Sequence, residues 1–247
     1  MRLGLDLYSR RSGSAASFPW DLPSLIAWFN ASEASTITQS SGAVSRWDSQ
    51  GGSNYAEQTA SGDRPVTGTR TLNSVNALDF VASEQDHMDI SSPISDYSSG
   101  ATLVSVFNVD SLATQRPLLG GIGIGAFGVT ITSAGAIECI KTRVSTVLST
   151  ADSLISTGTN YIVAVRSSSA GTEIYINGTS AATNATNPNY SDGVVQDVGT
   201  TFYFGSSYYF DGLIGISGLF SEKLSDADLN TIANAAASEY GLTWADI

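Results

Sequence analysis

Cysteine is almost absent from this chain of 247 residues: Cys139 is the only one. No intramolecular disulfide can form, so the fold does not depend on an oxidising compartment. Cys139 lies in the apolar run AIECIK and is expected as a small core residue on a strand. Histidine is equally scarce. His87 stands alone, with no Ser or Cys nucleophile motif framing it, so a His-based triad has nowhere to form, and His87 is expected on an exposed loop. Charged residues make up only 14% of the chain, and their balance is acidic, with a formal net charge of −12. Phosphate contacts need clustered Lys and Arg, so nucleic acid is excluded as a partner, and the acidic surplus serves solubility. No run approaches the ~20 apolar residues of a membrane span. The opening MRLGLDLYSRR lacks the ~7–15-residue apolar stretch of a secretory signal. The chain is therefore expected to be made and folded in a cytoplasm, and to reach any exterior by another route, such as assembly into a particle.

What is present is β-pattern. Apolar residues alternate in EIYIN, and Asn177-Gly178 supplies the two positive-φ residues of a type I′ hairpin turn. A second alternating run follows in TFYFG and a third in LIGISGLF, which predicts antiparallel strands in one C-terminal sheet rather than a βαβ unit. Ala101 to Asp110 is nearly all apolar and β-branched, the pattern of a central strand; NYIVAVR is another buried strand. GVTITSAGAIECIK reads as a hairpin about a Ser-Ala-Gly turn. The glycines of GGIGIGAFG invite a phosphate-loop reading, but no helix follows them, and a glycine-rich strand edge is the better account. Residues 24–30 fit either a strand or a helical turn. One helix is clear. Ser225 is its N-cap with Asp228 three residues on, Leu229, Ile232, Ala233 and Ala236 form its apolar face, and Gly241 ends it. Trp20, Trp28 and Trp47 are expected in the core.

These residues carry a family likeness. The order Tyr175-x-Asn177-Gly178, polar loop, Phe210-x-Gly212-x-Ile214, Leu224-Ser225-Asp226-Ala227, helix, Tyr240-Gly241-Leu242 resembles the concanavalin A-like lectin/glucanase superfamily. Nearest among its members are the laminin-G-like domains of bacterial and bacteriophage surface proteins. Trp28-Phe29-Asn30-Ala31-Ser32, Val44-Ser45-Arg46-Trp47-Asp48 with Gly51, and Ala77-Leu78-Asp79-Phe80 resemble the family's N-terminal motifs. The likeness covers roughly residues 20–245. It implies an all-β, antiparallel two-sheet jelly-roll sandwich over residues 20–247, with one short C-terminal helix. Because this fold hosts lectins, hydrolases and plain structural modules, it implies little about activity.

Residues 1–19 differ in character. Leu3, Leu5 and Leu7 alternate, Arg10 and Arg11 follow, and a Ser/Gly/Ala linker runs on through Ser17. Too short to bury anything alone, this segment is expected to be an extended anchoring arm, held by adding a strand to a partner's sheet edge. The recognition surface is expected in the polar loop from Thr183 to Asp197 and the run after it, on Asn189, Tyr190, Asp192, Tyr208, Tyr209 and Asp211, because sugars are held by aromatic faces and by Asn/Asp hydrogen bonds. Glu84, Asp86 and Asp89 resemble the carboxylate signature of the retaining glucanases of this fold. Strand alternation puts Asp89 on the opposite face from Glu84 and Asp86, and the segment is expected to be a structural turn with no catalytic residue. Asp and Asn oxygens suit calcium, but no D-x-D-x-D-G loop exists, so neither metal nor cofactor is expected. Three functions remain in order: a bacteriophage virion structural protein, present in multiple copies or as a homo-oligomer and joined to other virion proteins by its arm; a carbohydrate-binding adhesin for host glycans; and a glycoside hydrolase.

Overall fold

In a computed structural model, residues 21–247 are described, except 52, 93, 122–123, 193–195 and 204–205 and the side chains of 202, 203 and 206. The arm, with Leu3, Leu5, Leu7, Arg10 and Arg11, lies outside the described residues, as does Trp20. The strands in chain order are β1 (Leu25–Asn30), β2 (Ile37–Ser40), β3 (Ala43–Asp48), β4 (Tyr55–Glu57), β5 (Thr71–Leu72), β6 (Val75–Asn76), β7 (Leu78–Phe80), β8 (Met88–Ile90), β9 (Ala101–Val109) and β10 (Arg116–Gly120). Then come β11 (Phe127–Ile131), β12 (Ile137–Lys141), β13 (Ser145–Ser149), β14 (Asn160–Ser168), β15 (Gly171–Ile176), β16 (Thr179–Asn184), β17 (Asp197–Val198), β18 (Thr200–Tyr203), β19 (Ser206–Tyr209) and β20 (Gly212–Phe220), followed by the helix α1 (Asp226–Glu239).

Two antiparallel sheets form a sandwich. One has the order β1-β20-β9-β14-β15-β16, with β7 beside β20; the other runs β13-β12-β11-β10-β17-β8-β4-β3-β2. Phe29, Leu103, Phe107, Val163 and Ile174 of the first sheet meet Trp47, Met88, Val129, Ile137 and Cys139 of the second in one buried core. Each such side chain contributes about 1.5–3 kcal/mol on burial. The first sheet is also covered on its outer face, where Val104, Val106, Ile162, Ala164, Ile216 and Phe220 pack against Leu229, Ile232, Ala233 and Ala236 of α1. Burial on both faces is why β9 and β20 read as unbroken apolar runs rather than alternating ones: every residue of both strands is buried.

Most local signals hold. Asn177 and Gly178 both have positive φ, 52° and 81°, and join β15 to β16. Gly178 is also required by a neighbour, since a Cβ there would lie 1.9 Å from the Ala245 carbonyl oxygen. Ser225 caps α1 by accepting a hydrogen bond from the Asp228 amide, a contact worth about 1 kcal/mol. At the far end the Tyr240 hydroxyl donates to the Gly215 carbonyl at 2.9 Å and locks α1 onto β20. Trp28, Trp47 and Cys139 are buried as expected, and residues 24–30 resolve into strand β1.

The expected single C-terminal sheet is not formed. β15 pairs with β14 and β16, β20 lies between β1 and β9, and β18 pairs only with β19 in a separate ribbon. β15, β18 and β20 follow one another closely in sequence but do not pair, because long-range partners such as β9 and β1 take the places beside β20. His87 lies on a loop as expected, but its expected exposure needs correction. It is half-buried, its ring lies 5.9 Å from that of Tyr209, and Nε2 approaches Gln58 Nε2 at 3.0 Å and Asp89 Oδ1 at 3.7 Å. No described helix is long and apolar enough to cross a membrane.

Candidate functional site

A cleft of about 240 Å³ opens at the end of the sandwich where β9 begins and β14 turns into β15. Its walls are Asp96, Tyr97 and Ser98 before β9, Ser168 and Ser169 at the β14–β15 turn, and the loop 187–192. Tyr190 forms the rear wall. Its ring lies 5.2 Å from that of Tyr97 and meets Phe127 edge-on at 5.6 Å. Its hydroxyl donates to Ser167 Oγ at 3.2 Å and lies 3.1 Å from Cys139 Sγ. This hydroxyl is pushed well above the ordinary tyrosine range by burial, and burial pushes the Cys139 thiol up to about 12, so both stay neutral. The cleft thus grows directly out of the inter-sheet core.

The loop is held in place by backbone and side-chain contacts. Asn189 adopts a left-handed φ of 49°, its amide donates to Asn187 Oδ1 at 2.9 Å, and its carbonyl accepts from Lys141 Nζ at 2.6 Å. Ser191 donates its amide to the Gly125 carbonyl at 2.9 Å. Asp192 Oδ1 accepts from the Tyr97 amide at 2.9 Å and so ties the loop to the segment leading into β9. Next to Tyr97, Asp96 accepts from the Ser98 amide at 2.7 Å; the Ser98 amide and hydroxyl hold its carboxyl below the usual range, which keeps it ionised. The outcome is an aromatic floor edged by two carboxylates, side-chain amides and serine hydroxyls.

The six expected binding residues separate into two groups. Asn189, Tyr190 and Asp192 line the cleft. Tyr208, Tyr209 and Asp211 sit at the opposite end of β9, about 27 Å away at ~3.4 Å per strand residue; there the Asp110 amide bonds the Asp211 carbonyl. In that region the Arg116 guanidinium donates to the Tyr209 carbonyl at 3.1 Å and approaches Asp211 Oδ2 at 3.4 Å, while Asp211 Oδ1 accepts from the Ala82 amide. Asp211 is thereby occupied within the fold. Sequence reasoning missed Asp96, Tyr97, Ser98, Ser168 and Ser169. The polar D-Y-S before a central strand was the available signal, but its meeting with a loop some ninety residues later is a long-range contact.

The carboxylates Glu84, Asp86 and Asp89 do not share a strand. Ala82–Glu84 is a turn of 3-10 helix and Gln85 is left-handed, with φ of 65°, so strand alternation does not apply there. Asp86 is buried, accepts from the Val81 amide at 2.8 Å, and is pushed up to about 6, chiefly by burial. Asp89 on β8 faces Asp197 on β17, its cross-strand partner. Asp197 is fully buried and neither of its carboxyl oxygens finds a hydrogen bond of good geometry; burial first, then the Asp89 charge, hold it well above the ordinary aspartate range. Among the described residues no group of three or more His, Cys, Asp or Glu side chains is placed to hold a metal ion.

Comparison with known proteins agrees with this architecture. Residues 82–230, more than half of the chain, match the laminin-G-type family model described as "Concanavalin A-like lectin/glucanases superfamily". No curated protein matches the chain. Among solved structures it is similar to the Trypanosoma rangeli sialidase in complex with sialic acid, at 15% identity and a TM-score of 0.60 over 87% of this chain and 33% of that one. The same sialidase as a covalent intermediate with 2,3-difluorosialic acid gives 14% identity and 0.59, over 87% and 34%. The chain therefore spans about a third of the length of these sialidases. The Ruminococcus gnavus IT-sialidase CBM40 bound to α2,3-sialyllactose gives 22% identity and a TM-score of 0.44, over 53% of this chain and 80% of that one.

Proposed function

The chain belongs to the concanavalin A-like lectin/glucanase superfamily, and from that premise we propose that it is a carbohydrate-recognition domain whose binding site is the cleft around Tyr97 and Tyr190. The observation that carries this reading is the cleft's make-up. Tyr190, half-buried, supplies apolar ring surface with Tyr97 buried behind it, while Asp96, Ser98, Ser168, Ser169, Asn189 and Asp192 supply hydroxyl-binding partners around one opening of about 240 Å³. A sugar presents the complementary pattern, C–H faces for aromatic contact and a rim of hydroxyls that both donate and accept. The volume lies below the ~300–1,000 Å³ of drug-sized pockets, which suits the terminal one or two rings of a longer glycan. The domain acts by binding rather than hydrolysis in this proposal. In support, Asp86 lies buried in a turn and Asp192 bonds a backbone amide, so each has a positioning task within the fold.

The setting belongs to the same proposal: display of the lectin-like sandwich on a bacteriophage particle in several copies, with residues 1–19 joining it to other virion proteins. Its support is the resemblance of residues 20–245 to phage surface modules and the distinct basic, alternating character of the arm.

Two experiments test the two parts. Ser169 is exposed at the β14–β15 turn, so Ser169→Trp fills the cleft without touching the core. Glycan affinity by calorimetry is expected to fall at least about tenfold with an unchanged melting temperature. Unaltered affinity would place any glycan site elsewhere, and variants at Tyr208 and Asp211 would then identify it. For the setting, a chain lacking residues 1–17 is expected to fold yet fail to join its particle; full incorporation of the truncated protein would refute the anchoring role.

A further inference from the structure

We infer that the cleft selects neutral or amino sugars and rejects carboxylated ones such as sialic and uronic acids. This rests on the glycan-binding reading above and names the ligand class for that site.

The inference comes from the charges that surround the opening. Two carboxylates, Asp96 and Asp192, line the same opening, Asp192 being bonded to the amide that follows Asp96, and no Lys or Arg lines the cleft among the described residues. Asp96 stays ionised, because the Ser98 amide and hydroxyl stabilise its charged form. Asp192 has Oδ1 on the Tyr97 amide, which fixes the orientation of its carboxyl group. Among the described residues the basic side chain that touches the cleft loop is Lys141, and its ammonium is engaged by the Asn189 carbonyl at 2.6 Å, with its Cε close to Gly125. Lys141 thus braces the loop's backbone and does not line the opening. A bound carboxylate is recognised by paired, charge-assisted donors, usually an arginine fork. Here it would meet two like charges and no fork. The chain's net charge of −12 deepens the same field.

A hydroxyl-rich neutral sugar meets the opposite situation. Carboxylate oxygens are strong acceptors, and each can take two sugar hydroxyls. An amino sugar adds an ammonium to the same contacts and gains from both charges. The structural similarity to sialidases concerns the fold alone and does not carry over an arginine-based site.

The test uses the full chain and four probes: lactose, sialyllactose, glucose and glucosamine. Lactose is expected to bind at least about tenfold more tightly than sialyllactose at low ionic strength, and glucosamine more tightly than glucose. Raising the salt should narrow both ratios, because exposed charges are screened within ~10 Å at 0.1 M. Asp96→Asn keeps the oxygen that accepts from Ser98 while removing one charge, so it should bring the lactose-to-sialyllactose ratio down about threefold or more, whatever it does to the affinity for lactose itself. Sialyllactose binding as well as lactose, or a ratio that ignores both salt and Asp96→Asn, overturns the selectivity. Binding of none of these probes, nor of other neutral glycans presented on an array, overturns the glycan-binding reading itself.

Discussion

Replacing Tyr190 by alanine is expected to cost about 2–4 kcal/mol of folding stability, somewhat under the ~3–5 kcal/mol for a fully buried aromatic side chain because Tyr190 is half-buried. The cost comes from three contacts made at once: the ring's packing on Tyr97, its edge-on approach to Phe127, and the hydroxyl between Cys139 and Ser167. For a domain of this size a loss of that order lowers the melting temperature by roughly 10 °C. The same change removes the rear wall of the cleft, so glycan binding should disappear with it. Tyr190→Phe separates the two effects. It keeps the ring and leaves Ser167 Oγ without one donor, at a cost of about 1 kcal/mol, and the hydroxyl points into the core rather than into the opening, so glycan affinity should survive. Urea denaturation and calorimetry on both variants check this. An alanine variant as stable as the parent would show that the ring is not part of the core, and a phenylalanine variant that folds but no longer binds would show that the hydroxyl itself contacts the sugar.

Asp197→Asn is expected to stabilise the protein at neutral pH, because it removes the need to bury a charge or to take up a proton there on folding. Asp197 and Asp89 face one another on adjacent strands, and Asp197 is shielded from water with no donor of its own. Its carboxyl is raised above the value it has in the unfolded chain, so the folded state holds the proton more tightly than the unfolded state does. The stability tied to that proton is fully present below the unfolded pKa of ~3.9 and is lost as pH rises through the folded value. Asp86, raised to about 6, acts in the same direction, its share being lost as pH climbs from about 4 through 6. Glu173 acts oppositely: Lys223 and Arg166 hold it below its usual value, although burial works against them, and its contribution is lost only as pH falls through that lowered value. Urea midpoints should therefore decline from pH 5 to pH 8 in the parent, and decline less in Asp197→Asn. Stability that climbs steadily over that interval in the parent would contradict the buried acid pair.

The sequence and the fold divide the explanation along a physical line. Signals that act over a few residues were legible. The Asn177-Gly178 turn follows from the backbone angles of those two residues. The Ser225 cap follows from a side-chain oxygen beside free amides, and the membership of strands such as β9 and β20 in a buried layer follows from unbroken apolar runs.

Half of the candidate site was also within reach. Asn189, Tyr190 and Asp192 stood out as aromatic and amide groups clustered in one polar loop, and they do line the cleft. Tyr208, Tyr209 and Asp211 were grouped with them because they are close in sequence. The β18–β19 ribbon instead carries them to the other end of β9, where Arg116 and the Ala82 amide engage Asp211. The partners that complete the cleft, Asp96 to Ser98 and Ser168 to Ser169, carry no local mark of that role.

Composition and short-range pattern thus determined the all-β class, the single helix with its cap and stop, and the family. Each depends on forces that a few adjacent residues feel. Only the tertiary structure decided which strands are neighbours, which loops meet at the cleft, and that Asp89 confronts Asp197. Those outcomes are set by the pairing order of the two sheets, which brings residues a hundred positions apart within hydrogen-bond distance and is fixed by the packing of the whole core at once.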